Sequence, residues 1–197
     1  MFKDLSIPNP SRTEVEYYLK QWDLLDNYSL QESSLKKLYS KTYPLNDDMD
    51  DVLVKVCVLN DFYNTNIFSP FTVAKHIVAL KIDEHLQQGD LAIVNKVAGV
   101  VMNGGKRKNF YSFATKYCSH HRPDVYPIYD SYVEKILIYF RKKDEFFAFS
   151  NQDLKEYPLF KNILVEFSKY YGLDSFDLKQ IDKYLWQAGK KYFPKKY

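Results

Sequence analysis

Two short segments hold the residue types that could do covalent chemistry. Gly104-Gly105-Lys106-Arg107-Lys108 comes first, and Tyr126-Pro127-Ile128-Tyr129-Asp130 follows it. A glycine turn opening a helix offers backbone N–H groups to a phosphate, and Lys106 and Arg107 would add positive charge there. Lys108 supplies an amine, which becomes a nucleophile once it has lost its proton. Asp130 supplies a carboxylate that can stabilise a cationic sugar in a dissociative transition state, or orient a water or amine. An amine and a carboxylate are the pair needed to part a base from its sugar: attack at C1′, departure of the base, and a Schiff base left on the lysine.

The elements that must position these groups read as helices. Ser11 with Glu14 makes a capping box before Val15, Tyr18, Leu19 and Trp22. Ser29 caps a second helix reaching about Tyr39, and Asp47 or Asp48 opens a third with Val52, Val56, Leu59 and Tyr63 on one stripe. Ser69-Pro70 starts a fourth that runs on until Gly89. Asp90 opens a fifth through Ile93, Val97 and Val101, ending at Asn103-Gly104. The sixth spans about Lys108 to His121. Its buried stripe is Phe110, Phe113, Ala114, Tyr117, Cys118 and His121, with Lys108, Ser112 and Thr115 on a polar face.

Further helices begin near Asp130, which would be an N-cap, at about Asp153 and at Ser175. Helix five, the glycine turn and helix six predict a helix-hairpin-helix, and no strand pair is expected. The fold class is all-α: one helical domain over residues 1–197 with two lobes. One lobe holds the central helices of about 45–135, and the other the N- and C-terminal helices.

Composition fits this. Of 197 residues, 46% are hydrophobic and 27% charged, which makes the chain globular and able to bury a core. A net charge of +3 permits nucleic-acid binding without demanding it. Cys57 and Cys118 fall in apolar patterns, as buried thiols do, and two cysteines exclude a four-cysteine iron–sulfur site. His120-His121 with Cys118 matches no standard zinc spacing, so no metal is expected. There is no GxxxxGK[ST] phosphate loop, no apolar signal region and no run of 18 apolar residues. The expectation is a monomeric cytoplasmic protein without a membrane segment.

A glycine hairpin, a lysine, a helix and an extended Pro-apolar-Asp segment, in that order, resemble the helix-hairpin-helix (HhH-GPD) DNA glycosylases, and the 8-oxoguanine DNA glycosylases most closely. Their hairpin reads Gly-x-Gly-x-Lys. Here the second glycine is displaced and the interval from Lys108 to Asp130 is a few residues longer, so Lys106 and Lys116 are alternatives; Lys116 fits the helix start and the polar face less well, and Lys108 is the expected nucleophile.

Two further segments carry the resemblance, which runs from about Val52 to Phe193. Leu59-Asn60-Asp61-Phe62-Tyr63-Asn64-Thr65-Asn66-Ile67 corresponds to an Asn-rich loop that inserts into the duplex, implicating Asn64 and Asn66. Leu185-Trp186-Gln187-Ala188 is similar to a segment whose glutamine reads the flipped base, implicating Gln187 and Trp186. The family's stacking phenylalanine is replaced by Lys191, with Phe193 or Tyr192 as substitutes.

The resemblance implies an enzyme of base excision and DNA repair that flips a damaged base, oxidised guanine above all, out of double-stranded DNA. It would be a glycosylase with an associated lyase activity, needing no cofactor. Two alternatives stand beside it: a non-catalytic helical DNA-binding module, and a glycosylase acting on a hypermodified base of foreign DNA.

Overall fold

The computed structural model of the protein describes residues 6–194. Their regular elements are overwhelmingly helical. Helices α1 (Arg12–Asp23) and α2 (Asp26–Lys37) are followed by a wide π turn at Leu38–Thr42, then α3 (Met49–Tyr63), α4 (Pro70–Leu80), α5 (Ile82–Gln88) and α6 (Ala92–Ala98). Strands β1 (Gly99–Val101) and β2 (Arg107–Asn109) come next, and α7 (Tyr111–His121), α8 (Ser131–Asp144), α9 (Tyr157–Tyr170) and α10 (Leu178–Tyr192) complete the order. An all-α class is therefore observed, with one short hairpin that the helical pattern did not announce.

The chain divides into two compact units, one of residues 27–128 and one of residues 6–26 with 129–194. In the first, α3 packs on α4, α6 packs on α7, and α7 also meets α3. Helix α7 is enclosed on nearly every side: Phe113, Ala114, Thr115, Lys116, Tyr117 and Cys118 are all buried. Burying an aromatic such as Phe113 contributes roughly 2–3 kcal/mol each. In the second unit, α10 packs on both α1 and α8. A methyl group added at Gly189 would stand 2.6 Å from Cβ of Tyr132 and 2.7 Å from its carbonyl oxygen. Glycine there lets α10 approach the start of α8 at backbone distance.

Caps fix where these helices start. Ser11 accepts the amide of Glu14, Asp48 accepts those of Asp50 and Asp51, and Asp130 accepts that of Tyr132. Asp177 and Gln180 form a reciprocal capping box on α10. Pro70 occupies the first turn of α4, as expected of Ser69-Pro70. That helix does not continue to Gly89, because Lys81 takes a left-handed conformation (φ 49°) and separates α4 from α5.

The expected helix-hairpin-helix is corrected to a β-hairpin. Helix α6 stops at Ala98, and Gly99, Val100 and Val101 pair antiparallel with Asn109, Lys108 and Arg107. The reason is local. Val100 and Val101 are β-branched and favour extended backbone. Gly104 and Gly105 (φ 88° and 80°) supply the positive φ a tight reversal needs, and the Gly105 amide donates to Met102 O. Gly99 also leaves room for Arg107, whose Nη2 lies 2.6 Å from where a Cβ would stand.

Candidate functional site

The correction moves most of the expected phosphate grip. Gly104 and Gly105 turn two strands and do not open a helix, and α7 starts only at Tyr111. The Gly105 amide is spent inside the turn. Lys106, Arg107 and Lys108 remain exposed on this hairpin as a cationic tip. Lys108 sits on β2 opposite Val100, so it does not share a helical face with Ser112 and Thr115. Thr115 itself is fully buried and donates to Ser112 O at 3.0 Å.

One lysine of α7 lies in a chemically structured place, and it is Lys116. Only 3% of it is exposed. Its Nζ donates to Ser112 Oγ at 2.6 Å, one helical turn back, and stands 5.2 Å from the ring centre of Tyr63. The Tyr63 hydroxyl meets Nε2 of His120 at 3.0 Å, and both rings belong to an aromatic cluster with Tyr39. Ser112 and Lys116 are spaced i, i+4, a signal the sequence offered but that a helix phased from Lys108 concealed.

A second buried lysine was not anticipated. Lys55, fully buried on α3, donates to Tyr43 O (3.1 Å), Leu45 O (2.6 Å) and Asn46 Oδ1 (2.8 Å). The same Asn46 oxygen lies 2.6 Å from the Tyr117 hydroxyl and 3.1 Å from His121 Nε2. Asn46 in turn donates both its backbone and side-chain amides to Asp83. Desolvation pushes the Lys55 ammonium down to about 8 and, with Lys55 nearby, His121 down to about 3. His121 is therefore a neutral donor, held in one tautomer by the amide it faces. The sequence signal was Lys55 itself, which falls on the buried face of α3 between Val52 and Val56.

The loop after α3 brings Asn64 and Asn66 to the surface, both in left-handed conformation (φ 49° and 58°). Asn64 is the C-cap of α3. The side chain of Asn60 pins the loop, accepting from Ile67 N (2.9 Å) and Thr65 Oγ1 (2.8 Å) and donating to Ile67 O (3.1 Å). Cys57, expected to be buried, is exposed on α3, whereas Cys118 is buried.

In the other unit Asp130 caps α8 through Oδ1, 2.8 Å from the Tyr132 amide. The preceding residue, Tyr129, is clamped: its hydroxyl bonds Glu134 and Lys155, and Lys155 pairs with Glu134 at 3.1 Å. The backbone that presents Asp130 is thus fixed from both sides. Trp186 and Gln187 line a cavity of about 350 Å³ between α1 and α10, together with Tyr17, Gln21, Lys190 and Lys191. Both amide hydrogens of Gln187 go to backbone carbonyls, Tyr18 O at 2.8 Å and Lys183 O at 3.1 Å. Phe193 does not line this cavity. As the C-cap of α10, it sets its ring edge-on to Tyr139.

Among the described residues no three His, Cys, Asp or Glu side chains gather as metal ligands, and no helix is long and apolar enough to cross a membrane. No solved structure matches the chain. It is 50% identical over 155 residues to a protein of Haemophilus influenzae described as "Uncharacterized protein", a match that covers 78% of this chain and 74% of that one. Residues 14–125, which run from within α1 to just past the end of α7, match the family described as HI_0787_N, N-terminal domain. The chain belongs to the HI_0787_N family.

Proposed function

We propose that the protein is a DNA glycosylase with associated lyase activity, and that its nucleophile is Lys116. The observation that carries the reading is an amine almost wholly withdrawn from solvent and hydrogen-bonded to a hydroxyl, Ser112 Oγ, on the same helix. A serine hydroxyl both accepts and donates, so it can take part in moving the proton that the amine must shed before it attacks. The nitrogen lone pair forms the bond to C1′ of the nucleotide while the base leaves with the electrons of the glycosidic bond. The C1′–O4′ bond then opens to give an imine. From the sequence, the carboxylate proposed to offset positive charge on the sugar is Asp130, the N-cap of α8. Double-stranded DNA is the substrate, and a damaged base, oxidised guanine by resemblance, is flipped out of the stack for the reaction. Gln187 and Trp186 are the groups proposed to read that base. Exposed Lys106, Arg107 and Lys108 act as phosphate contacts.

Borohydride trapping tests this. The intact protein is incubated with duplexes carrying an abasic site, oxidised guanine or a hypermodified base. A covalent adduct that survives Lys108→Gln and disappears in Lys116→Gln is expected. An adduct of undiminished yield from Lys116→Gln, or no adduct from the intact protein beside a reactive control enzyme, sinks the assignment.

The exposed cationic hairpin also favours a second reading, a DNA-binding module without chemistry. It predicts salt-dependent binding with no base release and no adduct on any of these duplexes.

A further inference from the structure

Ser112, Lys116 and His120 follow one another on α7 at intervals of four, so they form one row along that helix. Tyr63, the last residue of α3, lies against this row. Its ring centre is 5.2 Å from the Lys116 Nζ, and its hydroxyl meets Nε2 of His120 at 3.0 Å. Amine, π-face, hydroxyl and imidazole thus close a loop that begins and ends on α7. The imidazole is itself backed by the ring of Tyr39, with 5.4 Å between centres. The backbone behind Tyr63 is fixed as well. Asn64, the next residue, takes the left-handed conformation that stops α3, and the side chain of Asn60 ties down Thr65 and Ile67 beyond it.

A lysine does not aim itself, because its amine sits on a flexible four-carbon stem. The bond to Ser112 Oγ at 2.6 Å restrains Nζ from one side only. An aromatic face supplies a second restraint: it attracts an ammonium and closes off the space it occupies. That restraint is only as firm as the ring is still. A phenol turns about its own side-chain torsions unless its far end is held, and His120 holds it. Because His120 and Lys116 share one helix, this bond refers the ring to the same backbone that carries the amine. Attack on a sugar carbon tolerates little error, since misplacement by about 1 Å costs on the order of 100-fold in rate.

We propose that Tyr63 is the positioning residue for the Lys116 amine, and that His120 acts through it by holding the ring in place. This rests on the lysine reading above. The ring takes no proton and forms no bond; it sets where Nζ stands when it meets C1′.

The test is single-turnover borohydride trapping by the full chain on a duplex with an abasic site. Affinity is measured by anisotropy on the same duplex carrying a tetrahydrofuran analogue, which cannot form a Schiff base. Tyr63→Leu removes the aromatic face and should slow trapping at saturating duplex by about 10- to 100-fold, with affinity held within about twofold. Tyr63→Phe keeps the face but loses the tie, and should slow it several-fold. His120→Leu should match Tyr63→Phe, and the double variant should be no slower than either, because both remove the same bond. His120→Gln, whose amide can still meet the phenol, should recover most of the rate. Tyr63→Phe keeps the ring volume and should melt close to the intact protein, so it decides the matter if Tyr63→Leu folds poorly.

Full-rate trapping by both Tyr63 variants overturns the positioning role and leaves the lysine reading intact. Loss of affinity in step with rate makes Tyr63 a DNA contact and also overturns it. Additive losses in the double variant, or no recovery with His120→Gln, overturn the part given to His120. No adduct from the intact protein, beside a reactive control enzyme, overturns the lysine reading itself, and the role of Tyr63 falls with it.

Discussion

Lys55 and Lys116 are both buried in the 27–128 unit, yet their strongest partners differ in chemistry. Lys55 faces two backbone carbonyls and an amide oxygen, groups that only accept. It staples the segment Tyr43–Asn46 to α3. Lys116 also donates to a carbonyl, Ser112 O at 3.4 Å, but its shorter bond is to the Ser112 hydroxyl at 2.6 Å, and the π-face of a tyrosine whose own hydroxyl touches a histidine lies 5.2 Å away. A carbonyl can only accept from an amine, whereas a hydroxyl can also donate to it once the amine is neutral. Burial alone does not distinguish a structural lysine from a reactive one; the chemistry of what faces the amine does.

The widest gap between the two should appear in stability. Lys55→Met strands three acceptors and is expected to destabilise by about 3–5 kcal/mol, read as a lower midpoint in urea. Lys116→Met should cost less, because Ser112 keeps a helical position from which it can bond elsewhere. Equal losses would erase the distinction. In the adduct assay the order reverses. Lys116→Gln should lower trapping at least about 100-fold, equivalent to ~2.7 kcal/mol of activation free energy, whereas a milder change in the Lys55 network, Tyr117→Phe, which removes one buried hydrogen bond worth about 1 kcal/mol, should leave it nearly unchanged.

Acidity sharpens the same contrast, since His121 belongs to the Lys55 network. Its folded pKa of about 3 lies below its ordinary 6.5, so between those values the unfolded chain binds more protons. Stability must then fall as pH drops from about 6.5 toward 3, by a few kcal/mol in all. Lys55 works in an alkaline window. Its folded value of about 8 lies below the ordinary 10.5, so stability should rise with pH across that interval. Chemical denaturation at a series of pH values checks both slopes, and His121→Asn should flatten the acidic one. The smallest effect is expected at the hairpin: Lys108→Gln should reduce the log–log salt slope of DNA binding by roughly 1 and leave stability untouched.

Four helix starts were legible because caps are local chemistry, whereas α2 starts at Asp26 rather than after Ser29 and Asp153 opens only a single 3₁₀ turn before α9. Ser11, Asp48, Pro70 and Asp130 all sit where a side chain or a fixed φ sets the first turn. The hairpin was not, because Ile93, Val97 and Val101 repeat every four residues and mimic one helix face. Only Gly99, followed by two β-branched residues, betrays the change to strand. That misreading propagated. A helix begun at Lys108 put Thr115 on a polar face and passed over Lys116, whereas a helix begun at Tyr111 and enclosed on nearly all sides buries both. Amphipathic phasing assumes a solvent face, and α7 has almost none. The Asn46 network was hidden for another reason: it joins residues 46, 55, 83, 117 and 121, a convergence that no periodicity encodes.

That convergence on Asn46 has a chemical consequence for the ageing of the protein. Asparagine side chains hydrolyse slowly to aspartate, a change of shape too small for packing to notice. At this position Nδ2 donates to Asp83 Oδ1 at 2.5 Å, so the product would set one carboxylate against another where a hydrogen bond now stands. The amide is a fully buried hub, and its loss would reach α3, α5 and α7 at once. Deamidation of this one side chain would therefore disturb three helices of the unit together.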